Sequence, residues 1–262
     1  MAKTDKKADQ STKLFALDIF SKSKLTLLNL LRNHLEEQQS LLTLMTPNPE
    51  QIVLSRKDPT FLHHLQSADI LIPDGIGLVI ASKFVDLSKE RAPITERISG
   101  KEVASFLLET ASEMGLPVLV VGGRDYQTAK NGELSQLDLP QPYKQVFWLE
   151  GYKDVQSPTK EEDAAVTAAI KKVKPAIVLV AFGAPWQEQW LMEHQPLLSQ
   201  SGVRIALVVG GALDMMLGKV PQAPAWIENA GLEWLFRLVK EPWRWRRQLK
   251  LLEFIKLTYQ SM

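Results

Sequence analysis

The chain has 262 residues, an apolar fraction of 45% and 31 basic against 30 acidic residues, which is typical of one large globular domain or of one domain with an appendage. It contains no cysteine, which excludes disulfides, thiolate metal sites and cysteine nucleophiles. No apolar run approaches the roughly 20 residues of a membrane-spanning helix, and the N-terminal lysines precede no apolar core of a signal peptide. We therefore expect a cytoplasmic protein that meets a membrane only at its surface.

The chain begins with a polar, lysine-rich segment without periodicity, and we expect residues 1–13 to be disordered. Short apolar runs and helical patterns then alternate. The predicted strands are 41–46, 69–72, 117–121, 144–148, 176–182 and 204–209. The predicted helices are approximately 23–38, 50–66, 100–114, 160–173 and 187–199. Nearly continuous apolar strands are typical of a parallel sheet covered by helices, so we predict an α/β, Rossmann-like sandwich over residues 14–218.

Three glycine-containing turns follow predicted strands, at the sheet edge where α/β proteins bind ligands. They are 74–77, Gly122-Gly123 and Gly210-Gly211. Glycine lets backbone N–H groups approach a phosphate, although a single turn of this kind is more often a tight connection. None carries the three spaced glycines of the dinucleotide fingerprint, and no Walker lysine is present, which argues against a nicotinamide-dependent oxidoreductase.

Polar side chains follow two of these strands. Asp74 comes after Pro73, on a loop whose two glycines leave space beside its carboxylate. Such a carboxylate can take a proton from an attacking hydroxyl, or it can cap the next helix. Thr46 and Asn48 end another strand at the same edge, where the local sequence favours a simple turn with Asn48 as a helix cap.

A third loop, 183–190, directly follows the strand predicted at 176–182. Glu188 suits the N-terminal end of a helix, and Gln187 can hydrogen-bond a sugar or a uracil. The alternative, equally supported, is a capped helix start whose tryptophans pack on the sheet. The four histidines show no metal-ligand spacing, and no Asp-x-Asp motif is present to hold a metal on a nucleotide sugar.

The C-terminal segment, residues 219–262, differs in composition from the rest. It holds eight basic and four acidic residues and four of the seven tryptophans. Basic residues interleaved with tryptophan and leucine are typical of helices that lie on an anionic bilayer. Because proline breaks a helix, Pro242 predicts one helix over about 225–240 and a second from Pro242 to about Tyr259. We therefore predict that 219–262 is a helical, membrane-associating appendage.

Six motifs occur in a fixed order along the chain. They are 46–48 (Thr-Pro-Asn), 72–77 (Ile-Pro-Asp-Gly-Ile-Gly), 96–100 (Glu-Arg-Ile-Ser-Gly), 183–188 (Gly-Ala-Pro-Trp-Gln-Glu), 210–214 (Gly-Gly-Ala-Leu-Asp), and 231–238 running into 241–244. From about Leu41 to Leu249 the chain thereby resembles the WecG/TagA/CpsF family of glycosyltransferases, glycosyltransferase family 26.

The resemblance implies an inverting, metal-independent transfer that uses no cofactor. The enzyme would move N-acetylmannosamine or a related sugar from UDP to an undecaprenyl-diphosphate-linked sugar, in cell-surface polysaccharide synthesis. Its partners would be the UDP-sugar donor, the polyprenyl-diphosphate-linked acceptor and the anionic inner face of the cell membrane. Nucleic acid is not expected, and a homo-oligomer is left open. The alternative is a non-catalytic, membrane-surface scaffold of a polysaccharide assembly complex.

The resemblance also assigns roles to residues. Asp74 would be the general base on the acceptor hydroxyl. The residues that would position donor or acceptor are Thr46, Asn48, Arg97, Gln187, Gly210 and Gly211. The arginines of the appendage, which closes over the active site in this family and engages the diphosphate, are Arg237, Arg244 and Arg247. Without a metal, arginines and backbone N–H groups must stabilise the leaving diphosphate.

Some positions depart from the family pattern. Gln222 stands where arginine is usual and Leu213 where phenylalanine is common, and Arg91 competes for the role of Arg97. The region 122–145 matches weakly. These departures bear on the identity of the donor sugar more than on the class of reaction.

Overall fold

A computed structural model describes residues 10–37, 40–85, 92–126, 133–137, 139, 143–224, 227, 233–240 and 245–261. Within these ranges the side chains of 233, 234, 237 and 245–248 lie outside the description. Most of the strand and helix positions predicted from the sequence fall within the described ranges.

The described chain forms one nine-stranded sheet of order β1-β2-β4-β3-β9-β8-β5-β7-β6. Its strands are β1 (Ser11–Leu14), β2 (Leu17–Phe20), β3 (Leu42–Met45), β4 (Ile70–Leu71), β5 (Val118–Gly122), β6 (Ser135–Gln136), β7 (Val146–Leu149), β8 (Ile177–Ala181) and β9 (Ile205–Val208). All pairs from β2 to β7 along this order are parallel, whereas β1 and β6 pair antiparallel at the two edges. The predicted α/β fold with a mainly parallel sheet is confirmed, and the two antiparallel edges are additions to it.

The N-terminal boundary differs from the prediction. Ser11 pairs with Phe20 and Leu14 with Leu17, so part of the segment 1–13 belongs to a hairpin. Thr12 and Leu14 are fully buried, which explains why this polar-looking run is ordered. Residues 1–9 lie outside the described part of the chain, and their predicted disorder stays a prediction.

Ten helices are described. They are α1 (Lys24–Glu36), α2 (Pro49–Lys57), α3 (Pro59–Ser67), α4 (Ile76–Phe84), α5 (Gly100–Met114), α6 (Lys160–Val173), α7 (Trp186–Gln200), α8 (Ala212–Met216), α9 (Glu233–Lys240) and α10 (Trp245–Gln260). The single helix predicted over 50–66 is two, because Asp58 caps the Phe61 N–H and Pro59 begins a new helix. The sequence prediction omitted α4, since its start at Gly75 and Gly77 resembles a turn.

The helices cover both faces of the sheet, and alternate strand residues enter two cores. Along β8, Val178 and Val180 face one core while Ile177 and Leu179 face the other. The first core is covered by α2, α3, α4, α6, α7 and part of α10, and the second by α1, α5 and α8. All residues of β3, β5, β8 and β9 are buried, as predicted from their continuous apolar runs.

The C-terminal segment contains two described helices, α9 and α10, on either side of Pro242. Phe254 of α10 is 4% exposed and packs edge-to-face on Phe15 with ring centroids 5.6 Å apart. Lys57 of α2 pairs with Glu253 of α10 at 2.6 Å. This part of α10 therefore packs on the α/β core. The domain boundary at 218/219 and the association with a membrane stay predictions.

Candidate active site

The carboxyl ends of β3, β4, β8 and β9 open into one cleft with a volume of about 1190 Å³. Because these strands are parallel and lie side by side, loops far apart in the chain meet at one edge of the sheet. Seven of the predicted site residues line this cleft: Thr46, Asn48, Asp74, Arg97, Gln187, Gly210 and Gly211. The structure thus brings together the predicted residues of the α/β core.

The Asp74 carboxylate lies on the cleft wall, with 30% of the side chain exposed. Its Oδ1 is 3.6 Å from Arg97 Nη2, and its Oδ2 accepts a 3.4 Å hydrogen bond from the Gly100 N–H at the start of α5. Gly75, rather than Asp74, is the N-cap residue of α4. A guanidinium and a helix N-terminus both favour the ionised carboxylate, the form that can accept a proton.

Backbone bonds hold the three loops around Asp74 in register. The Asp74 N–H donates to Pro47 O at 3.0 Å, and the Ile98 N–H donates to Pro73 O at 3.1 Å. These bonds tie the loops after β3 and before α5 to the loop after β4. Arg97 therefore reaches Asp74 from a loop of its own. Arg91, its predicted competitor, lies outside the described residues.

The N-terminus of α5 approaches the strand ends closely because residue 100 is glycine. A Cβ on Gly100 would lie 3.2 Å from Thr46 Cγ2 and 3.6 Å from Asp74 Oδ2. The Thr46 hydroxyl is buried and donates to Val208 O at 3.4 Å, so it also joins β3 to β9. A Cβ at position 100 would require the Thr46 side chain or the start of α5 to shift by a few tenths of an ångström.

Asn48 forms the helix cap that its local sequence favours. Its Oδ1 accepts from the Gln51 N–H at 3.0 Å, and its own N–H donates to Gln51 Oε1 at 3.1 Å. This capping box begins α2, and it uses the side-chain oxygen but not the amide nitrogen of Asn48. The cap therefore holds Asn48 at the cleft without consuming its donor.

Gln187 is only 2% exposed, and its amide joins two strand-end loops. Its Oε1 accepts from the Gly183 N–H at 3.2 Å and from the Gly210 N–H at 3.0 Å. Its Nε2 donates to Glu188 Oε1 at 3.0 Å. Both ends of the amide thus have protein partners, so the geometry supports a role in shaping the cleft rather than the predicted hydrogen bond to a sugar or a uracil.

Glu188 is a buried acid that the sequence analysis considered only for the helix end. It is 0% exposed, and Gln51 Nε2 also donates to its Oε1, at 3.2 Å. Its Oε2 has no hydrogen-bond partner among the described residues. Burial raises the pKa of Glu188 to about 7, against the smaller lowering effect of the hydrogen bonds from Gln187, from its own backbone N–H and from Gln51. In the sequence, the signal that could have indicated this hydrogen-bond network is Gln51, three positions after Asn48.

In the same loop, Trp190 packs in the core as the alternative for 183–190 predicted, whereas Pro185, the N-cap residue of α7, forms no side-chain cap bond. Trp190 is 3% exposed, donates from Nε1 to the Tyr152 hydroxyl at 2.9 Å and stacks on His194 at 4.1 Å. The described residues contain no group of three histidine or carboxylate side chains placed to hold a metal. His34 Nε2 lies 2.9 Å from Ser40 O, which is consistent with a structural histidine.

The predicted arginines of the C-terminal segment have side chains outside the described part of the structure, so their approach to Asp74 stays a prediction. Arg237 and Arg247 lie in α9 and α10 with side chains outside the description, and Arg244 lies outside the described residues. Two lysines that the sequence analysis did not select, Lys101 and Lys250, do line the cleft.

Lys101 contacts Gln222, which stands at the position where the family pattern usually has arginine. Its Nζ donates to Gln222 Oε1 at 3.2 Å, and Gln222 Nε2 donates to Met215 O at 2.7 Å. A cation therefore lies next to the neutral residue at position 222.

No helix within the described ranges is long and apolar enough to cross a membrane.

The chain is similar to known glycosyl transferases. The model of the glycosyl transferase WecG/TagA/CpsF family matches residues 12–262. Two similar proteins, from Bacillus subtilis (strain 168) and Bacillus spizizenii, are each an N-acetylglucosaminyldiphosphoundecaprenol N-acetyl-beta-D-mannosaminyltransferase. The first is 30% identical over 84% of this chain and 80% of its own length, and the second 31% identical over 85% and 82%. The resemblance read from six motifs is confirmed, and the chain belongs to the WecG/TagA/CpsF family of glycosyl transferases.

Proposed function

We propose that this protein transfers N-acetylmannosamine, or a related sugar, from UDP to an undecaprenyl-diphosphate-linked sugar in cell-surface polysaccharide synthesis. The observation that carries the proposal is the Asp74 carboxylate in the cleft, beside Arg97 and the N-terminus of α5. The family and the names of the two Bacillus relatives support the class of donor sugar and the lipid-linked acceptor.

The chemistry assigned to Asp74 is that of a general base in an inverting displacement. The acceptor hydroxyl oxygen bonds to the anomeric carbon of the donor as the bond from that carbon to the phosphate oxygen breaks. UDP leaves with the electron pair, and Asp74 takes the hydroxyl proton. Arg97 and the Gly100 N–H contact the carboxylate and hold it in place before the transfer.

Stabilisation of the leaving diphosphate is assigned to basic groups, and the transfer is proposed to need no metal. Lys101 on the cleft wall is one such group, and the side chains of Arg237, Arg244 and Arg247 are proposed to complete it. Thr46, Asn48 and the Gly210-Gly211 turn are proposed to contact donor or acceptor. Gln187 is assigned a positioning role, since it holds the Gly183 and Gly210 backbones together.

The proposed place of action is the inner face of the cell membrane. The lipid-linked acceptor resides in a bilayer, and the basic, tryptophan-rich C-terminal segment has the composition of a surface-binding helix pair. Docking through this segment would bring the cleft to the acceptor's diphosphate.

The test of the proposal is the Asp74→Asn variant, assayed with UDP-N-acetylmannosamine and a lipid-linked N-acetylglucosaminyl diphosphate. We expect transfer to fall by about 10²- to 10⁴-fold, the usual contribution of a general base, with thermal unfolding unchanged. Asp18→Asn, an exposed aspartate on β2, is the matched control and should retain transfer. Near-parental turnover by Asp74→Asn would remove Asp74 from the base role. A parental protein that transfers nothing from a panel of UDP-sugars would instead be the proposed alternative, a scaffold.

A further inference from the structure

The active-site cleft continues past Asp74 as a groove between α4 and α10, which we call the α4–α10 groove. Its α4 wall carries Ile76, Ile80 and Phe84, spaced four residues apart and 38%, 49% and 54% exposed. Residues at this spacing lie on one face of a helix, so their side chains form a continuous apolar stripe. The stripe begins two residues after Asp74.

The opposite wall is apolar as well. Ile255 and Tyr259 of α10 line the same cleft and are 62% and 78% exposed. Between the walls, a Cβ on Gly77 would lie 2.9 Å from Pro49 Cγ and 3.4 Å from Phe254 Cε1, so α4 lies close against α2 and α10 at the base. The groove therefore has two apolar walls and a closely packed floor.

Most of the large apolar side chains of this cleft lie apart from its charged groups, with Lys250 near the start of α10 as the basic residue on that side. Asp74, Arg97 and Lys101 lie at the strand ends, whereas the large apolar side chains lie along α4 and α10. Large apolar side chains exposed together mark a binding site far more often than single ones do. The cleft volume of about 1190 Å³ exceeds the roughly 300–1,000 Å³ of most small-molecule sites. A ligand with a charged head and a hydrocarbon tail matches this arrangement.

We propose that the α4–α10 groove binds the isoprene units of the polyprenyl acceptor that lie next to its diphosphate. This inference rests on the proposed function, because the reacting hydroxyl must reach Asp74 while the lipid remains bound. The groove opens directly onto Asp74, so its occupant must be continuous with the acceptor's polar head. An acyl chain of the bilayer, or the surface of a second copy of this chain, has no such connection to the reacting group.

The consequence is that the enzyme distinguishes acceptors by their lipid. Ile80 is already about half buried, so hydrocarbon can cover only its exposed half, and loss of this side chain should weaken acceptor binding by about three- to tenfold. A charge in the wall should have at least this effect, because the isoprene units would then desolvate it.

The experiment compares two acceptors that share the same diphosphate sugar, one with a polyprenyl chain and one with a short, water-soluble alkyl chain. Both are assayed in detergent micelles, where binding to a bilayer is not required. For the parental chain the KM is expected to be lower for the polyprenyl acceptor. In Ile80→Glu the ratio of the two KM values should shrink at least about threefold. The matched control is Leu25→Glu, an exposed leucine on α1 that does not line the cleft and should leave the ratio unchanged.

An unchanged KM ratio in Ile80→Glu would overturn the inference. So would a variant that loses only binding to phospholipid vesicles, since the groove would then be a membrane-facing surface. A change of oligomeric state with the ratio intact would assign the groove to a second copy. If the parental chain turns over neither acceptor, the proposed function fails. Binding of a polyprenyl phosphate without sugar then tests whether the α4–α10 groove binds the polyprenyl chain. Weaker binding by Ile80→Glu supports the inference, and equal binding overturns it.

Discussion

At the scale of single residues, two carboxylates 114 positions apart in sequence have opposite environments in one cleft region. Asp74 is partly exposed and lies beside the Arg97 guanidinium, which favours its charged form. Glu188 is buried, accepts hydrogen bonds at Oε1 from the neutral amides of Gln51 and Gln187, and has its pKa raised to about 7 by burial. Environments of this kind separate the roles of two acids. Asp74 suits proton transfer, whereas Glu188 suits the support of Gln187.

The raised pKa of Glu188 predicts a specific dependence of stability on pH. The unfolded chain releases the Glu188 proton near the ordinary glutamate pKa of 4.5, whereas the folded protein keeps the proton to about pH 7. Within this window the folded state binds more protons, so its stability falls as pH rises. Glu188→Gln imitates the protonated acid and escapes this loss. Between pH 5 and pH 8 the parental chain should lose on the order of 3 kcal/mol relative to Glu188→Gln.

Urea unfolding of both proteins at pH 5 and pH 8 measures this difference. Glu161→Gln, an exposed glutamate on α6, is the matched control and should follow the parental chain at both pH values. A stability difference between the parental chain and Glu188→Gln that is the same at pH 5 and pH 8 would show that Glu188 does not titrate between its unfolded and folded values.

At the scale of elements, the strand-end loops are joined to each other by few but specific bonds. Asp74 N–H bonds to Pro47 O, Ile98 N–H bonds to Pro73 O, and Gln187 bonds to two loops at once. Helix α10 is attached differently, since it contacts α2 and buries Phe254 in the core against Phe15. The Lys57–Glu253 pair on the same side is exposed, and exposed ion pairs contribute about 0–1 kcal/mol. Apolar burial, rather than this ion pair, should therefore hold α10.

The attachment of α10 predicts that two substitutions, one apolar and one charged, lower the free energy of unfolding by unequal amounts. Phe254→Ala should lower the free energy of unfolding by about 3–5 kcal/mol, or release α10 locally, because it removes a buried ring from the core. Lys57→Ala should change the free energy of unfolding by less than about 1 kcal/mol. Urea unfolding measures both values, and limited proteolysis detects local release of α10. Equal effects, or a larger effect of Lys57→Ala, would contradict the packing account.

At the scale of the whole molecule, the parallel sheet gathers the site and the C-terminal helix adds an apolar wall to it. Four neighbouring strands end at the cleft, and α10 lines the same cleft while Phe254 joins the core. Removing residues 219–262 would therefore expose part of the core as well as remove basic residues. Point substitutions on the outer side of α10 separate these two effects.

Lys256, exposed on α10 and absent from the cleft wall, tests the proposed membrane surface. Each basic residue near an anionic bilayer contributes about 1 kcal/mol, so Lys256→Ala should weaken binding to vesicles that contain phosphatidylserine by about fivefold at low salt. The difference should shrink as salt is raised, because salt screens exposed charges. Vesicle sedimentation measures this, with Lys160→Ala on α6 as the control. Equal binding by all three proteins would place the membrane contact elsewhere.

Local sequence determined several elements to the residue. Helices α5 and α6 begin and end as predicted, at 100–114 and 160–173, because capping boxes at Ser99 and Thr159 mark their starts. The motifs alone were sufficient to identify the family, and the strand-end positions of Asp74, Thr46 and Asn48 predicted one common edge. Each of these signals lies within a few neighbouring residues, so no knowledge of distant contacts is needed to recognise it.

Only the tertiary structure decided what those residues contact. The Arg97–Asp74 pair, the acceptance of Gly183 and Gly210 N–H groups by Gln187, and the burial of Glu188 all join loops that are distant in sequence. The edge hairpin of β1 and β2 and the position of α10 against α2 depend equally on distant packing. Sequence by itself determined the reaction family and the sheet edge at which its chemistry lies, because motif and periodicity are local. The tertiary structure decided which groups hold Asp74 and which apolar walls continue its cleft, because burial and charge pairing depend on neighbours that folding brings together.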